Sequence, residues 1–143
     1  MRRILLILLL ATTAAAPSAR ASEYLGQLCW RTANQVTMTL GISEVGGRRL
    51  SIDGTADNSL PGEVTVIDGS ATVRNHKMFM TLHFTGEDNE RVFAGNGRAV
   101  IDLATMDGEF QFLELGHPKA SPDPTEANAT YSPKAPLVSV PCK

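Results

Sequence analysis

Apolar and polar residues alternate along most of this chain, from Leu25 to Leu115, and turn-forming residues interrupt the pattern about every dozen positions. Val36, Met38, Leu40 and Ile42 interleave with Thr37, Thr39, Gly41 and Ser43. Met78, Met80, Leu82 and Phe84 likewise interleave with Phe79, Thr81, His83 and Thr85. A period of two sends successive side chains to opposite faces of an extended strand, so each segment has one face to bury. No segment of period 3.6 intervenes, and short connections make successive strands antiparallel neighbours. The expected fold is all-β: an eight-stranded antiparallel up-and-down meander closed into a small barrel. Closure removes the unpaired edges that an open sheet would present.

The pattern does not include the first residues. Met1, Arg2 and Arg3 give a positive start, 4–10 is a compact apolar run, and Ala19-Arg20-Ala21 has the small-x-small form of a secretory cleavage site. A signal peptide over 1–21 is expected, cut after Ala21. The apolar run is shorter than the roughly 20 residues of a spanning helix, and Cys29 follows the bulky Leu28, so no membrane anchor is expected after cleavage. The product would be periplasmic or secreted. From Ser22 to Lys143 it holds 122 residues, enough for one core without metal, with 10 basic and 15 acidic residues. That balance disfavours nucleic acid as a partner.

Two cysteines remain, Cys29 in the first strand and Cys142 one residue from the end of the sequence. In an oxidising compartment an even pair is most simply a disulfide. With 112 residues between the partners, the chain-entropy model assigns it about 4–5 kcal/mol, an upper figure. Free thiols and a redox-active pair are the alternatives, and the second lacks the C-x-x-C turn of catalytic dithiols.

The expected strands are 24–32, 35–45, 48–56, 63–67, 70–74, 77–85, 90–105 and 109–115. Gly46-Gly47, Asp68-Gly69 and Asn75-His76 serve as hairpin turns between them. In the seventh strand, an inward Phe93 brings Gly95, Gly97, Ala99, Ile101 and Leu103 to the same face, so three consecutive inward positions carry almost no side chain. Small inward residues suit a sharp bend or the close approach of a backbone or a ligand. The barrel is expected over 22–115. From Gly116 six of the eight prolines follow, so 116–143 reads as an extended tail, pinned by Cys142 and docking near the first strand.

Chemistry is sparse. His76 and His117 fall in a turn and at the start of the tail, His83 faces outward, and no His or Cys spacing suggests a metal site. No cofactor is expected, and the absence of a convergent acid, base and nucleophile argues against an enzyme. Glu114 alternates with Phe110 and Phe112, which puts a carboxylate on the inner face near a strand end, either to fix a ligand's polar group or to rest in water as a rim residue.

Gly26 and Trp30 in the first strand, followed by a meander of about eight strands, resemble the calycin layout of lipocalin- and avidin-type exported barrels. The resemblance rests on these two residues and the layout, with a wider spacing than lipocalins use and neither their later turn signature nor their C-terminal helix. It implies that Trp30 closes one end of the barrel while the opposite mouth admits a small apolar ligand. The leading expectation is an exported, non-enzymatic binding protein with Met38, Met80, Leu82, Phe93, Ile101, Phe110 and Glu114 around the ligand. The alternative is an exported protein-binding module with a filled barrel, similar to small bacterial barrel inhibitors of secreted metalloproteases. It would act through the loop 57–62, the hairpin tip 87–89 or the tail.

Overall fold

Residues 22–57, 63–121 and 123–143 are described by a computed structural model. The expected signal peptide and most of the loop 57–62 lie outside the described residues. Eight antiparallel strands follow one another around a closed barrel: β1 (Glu23–Thr32), β2 (Thr37–Gly46), β3 (Arg49–Asp57), β4 (Val64–Arg74), β5 (Lys77–Glu87), β6 (Arg91–Asp102), β7 (Gly108–Pro118) and β8 (Asn128–Ser139). Each strand pairs with the next, and β8 returns to β1.

The alternation sets the inside and the outside. Leu40, Ile52, Leu82, Ile101 and Leu137 are essentially sealed from water, and each such burial is worth about 1.5–3 kcal/mol. Asp53, Asp68, Arg98 and Asp102 face outward. An apolar interior under a charged exterior is the reverse of a membrane barrel, whose outer band is apolar.

The strand count matches expectation, but the strands are assembled differently. Asp68-Gly69 is not a hairpin: it lies within one continuous strand, β4, where Asp68 pairs with Asp53 and His83 and Gly69 with Ile52 and Leu82. A side chain at Gly69 would collide with the Thr81 carbonyl of β5, so glycine here serves close strand approach. The real turns on either side of β4 and β5 include Asn75-His76, with φ of 50° and 58°, the two positive values of a type I′ hairpin.

The Pro-rich segment supplies the eighth strand. Extended as expected, β8 pairs with β7 from Asn128 to Leu137, broken by a bulge where Gln111 meets Pro133 and Lys134. On its other side β8 meets β1 only at its end, through Trp30–Ser139, Arg31–Val138 and Thr32–Leu137. Residues 128–136 therefore need no donor on that side, which is why prolines are tolerated there. Cys29 and Cys142 form a disulfide with their Cα atoms 5.3 Å apart, and the Val140 N–H donates to the Cys29 carbonyl at 3.0 Å. The covalent bond thus extends a short closing ladder.

Trp30 is wholly buried, and its indole N–H donates to the Met106 carbonyl in the β6–β7 connection at 2.7 Å. It fills the end of the barrel where that connection turns. Above it, the positions without side chains are occupied from neighbouring strands. A methyl group at Gly95 would overlap the Phe84 ring, and one at Gly97 the Phe110 ring. Aromatic rings laid over strand glycines keep the interior dense.

Candidate functional site

The short β1–β8 ladder determines where the barrel is open. Beyond Thr32 the chain leaves β1 for the β1–β2 connection, while β8 continues back toward Asn128 without a partner on that side. Between them lies a half-open cavity of about 230 Å³, walled by Thr32 at the end of β1, by Ala33, Asn34 and Val36 of the connection, by Ser132, Ala135 and Pro136 of β8, and by the barrel interior. The connection is held in shape: the Thr32 N–H donates to the Val36 carbonyl at 2.9 Å, and the Val36 N–H to the Thr32 hydroxyl at 3.2 Å.

The inner wall is aromatic. Phe84, Phe93, Phe110 and Phe112 come from β5, β6 and β7, and Met38 and Ile67, the latter on β4 beside Phe84, complete it. Phe84 meets Phe112 edge-on at 5.8 Å, and Phe110 stacks with Phe112 at 5.6 Å. Phe112 is only partly buried, as it borders the open cavity.

Charged groups occupy the rim. Arg91 shares the inward phase of Phe93, and its guanidinium carbon lies 5.1 Å from the centre of that ring. Its Nη1 donates to Glu114 Oε1 at 2.9 Å and its Nε to Asp88 Oδ2 at 3.0 Å. Asp88 in turn accepts the backbone N–H groups of Glu90 and Arg91, each at 2.8 Å. Those two backbone bonds first, and then the Arg91 side chain, hold the Asp88 carboxyl below its ordinary range. The paired carboxylates, Asp88 ahead of Glu114, hold the Arg91 guanidinium above its ordinary value. Glu63 also lines this rim.

Five of the expected ligand contacts meet here: Met38, Leu82, Phe93, Phe110 and Glu114 all border the cavity. Met80 and Ile101 lie deeper, 2 % and 0 % exposed, within the packed core. Sequence reasoning overlooked Arg91, although carrying the Phe93 phase back by two residues would have found it. It also passed over Phe84 and Phe112, whose inward phase was legible.

The histidines take no part in this site. His83 is exposed and hydrogen-bonded to Asn96 on the outer face, and His76 sits in an exposed turn. His117 has its ring nitrogens on the Pro118 and Asp123 carbonyls at 2.8 and 2.7 Å, which ties down the β7–β8 connection. Among the described residues no group of three or more His, Cys, Asp or Glu is arranged to hold a metal ion. Compared with known proteins, the chain matches no protein-family model, no curated protein and no solved structure.

Proposed function

We propose that this is an exported, non-enzymatic binding protein that holds a small apolar molecule in the mouth of its barrel. The observation that carries the reading is the half-open cavity faced by four phenylalanines and Met38. Its volume of about 230 Å³ limits the guest: a dry cavity of roughly 150 Å³ accepts benzene, whereas drug-sized ligands occupy roughly 300 Å³ or more. The guest is therefore about one ring with a short chain. The disulfide fits an oxidising compartment. The calycin-type resemblance supports the same reading, with Trp30 as the plug at the end away from the ligand.

A second reading, a protein-binding module, is favoured by one outer surface. Leu113, Leu115 and Tyr131 are 48 %, 57 % and 66 % exposed on neighbouring strands, with Leu113 directly opposite Tyr131. Such a cluster suits a partner protein better than a small ligand.

Native mass spectrometry of the protein from its own compartment, followed by NMR titration with 2-phenylethanol, separates the two. A bound small molecule and saturable shifts at Ile67, Phe84, Phe93 and Phe110 support the mouth site. Shifts confined to Leu113, Leu115 and Tyr131, or none that saturate, would remove it.

A further inference from the structure

Resting on the mouth-site reading, we infer that the preferred guest carries a positively charged amine at the rim end of its apolar body. Among the described residues that line the cavity, Arg91 is the one cation and Glu63 and Glu114 are carboxylates; Glu114 bonds to Arg91, as does Asp88 from the β5–β6 tip. Arg91 is poorly placed to receive an acid. Its Nε and Nη1 already donate to Asp88 and Glu114, so the fork that would grip an incoming carboxylate bidentately is divided between two resident ones. An acidic headgroup would instead meet the Glu63 and Glu114 carboxylates of the cavity lining, and like charges repel at short range.

An ammonium meets the opposite situation. Glu114 accepts from Arg91 through Oε1, and its Oε2 receives no hydrogen bond from the described residues, although the side chain is only 13 % exposed. A carboxylate has room for several donors. The phenylalanine faces add a second attraction, since a cation within about 6 Å of a ring centre is drawn to its π-face. Arg91 already makes this contact with Phe93. Aromatic floor and acidic rim therefore select the same chemistry: a primary amine on a one-ring or short-chain apolar body.

Three probes of matched size test this on the full-length, oxidised protein at neutral pH and low salt: 2-phenylethylamine, 2-phenylethanol and 3-phenylpropionate. Calorimetry or NMR titration should find the amine bound about tenfold more tightly than the alcohol, the scale of one charge-assisted hydrogen bond, with the acid weakest. The amine-to-alcohol ratio should fall toward one in Glu114→Gln and fall part of the way in Glu63→Gln, which also serves if the first variant fails to fold. Raising the salt concentration should narrow the ratio. An acid that binds as well as the amine, or an alcohol that equals it, overturns the inference and leaves the cavity intact as a binding site. If none of the three binds, the inference and the mouth-site reading fall together.

Discussion

At one end of the barrel Trp30 is sealed from water and bonded to Met106, and beside it the Cys29–Cys142 bond fastens β1 to the segment that follows β8. At the other end four phenylalanines surround open space, and the closing ladder between β1 and β8 is missing. The same strands run through both. Their inward residues change from a filled layer to an aromatic cup, and the fastening changes from covalent to a few exposed ion pairs. The covalent fastening and the open cavity, where we propose that a guest binds, thereby lie at opposite ends, so altering one should leave the other largely intact.

The sharpest challenge to that division is Cys142→Ser. Losing the disulfide should cost up to about 4–5 kcal/mol and raise hydrogen exchange at Leu137, Val138 and Val140. An unchanged denaturation midpoint would mean that the closed end does not depend on its covalent bond. Next comes Trp30→Phe, which keeps an aromatic body but removes the donor to Met106. A loss of about 1–3 kcal/mol with unaltered probe binding is expected, and a large change in probe affinity would show that the two ends are coupled. At the mouth, Arg91→Ala should cost only about 0–1 kcal/mol, because the Arg91 side chain is itself 45 % exposed, while shifting the preference among the three probes.

The smallest effect concerns Asp88. Its carboxyl titrates below the ordinary value of 3.8, so its contribution to holding the β5–β6 tip is complete above that value and disappears as pH falls through the lowered one. The Glu90 and Arg91 amide signals should stay put from neutral pH to about pH 4 and move only below it. Movement starting well above that would place the cause elsewhere.

The barrel was legible because a period of two is a strong signal, and its phase placed Phe93, Gly95, Gly97 and Ala99 correctly on the inner face. What fills the space over those glycines was not legible. Phe84 and Phe110 reach it from adjacent strands, and that requires the register between strands as well as the phase within each. Asp68-Gly69 misled because the dipeptide suited to a hairpin turn is chemically the same one that lets a long strand pass close to its neighbour. The Pro-rich segment read as an extended tail outside the barrel, yet a strand that bonds on one side over most of its length can carry Pro133 and Pro136. Glu114 was visible from alternation, but its partner Arg91 lies 23 positions away, and only the β6–β7 register brings them together.

The pairing of β1 with β8 also governs when the barrel can form. Strands β2 to β7 each find a neighbour soon after they are made, but Trp30, Arg31 and Thr32 wait for residues 137–139, and Cys29 waits for a sulfur 113 positions later. Until then β1 has one free edge and the cup one missing wall. Contacts this distant in sequence slow folding, and an unpaired strand edge invites pairing with other chains. The first strand is thus the part of the molecule exposed longest to misassembly, and the final residues of β8 cover its edge at Cys29 to Thr32.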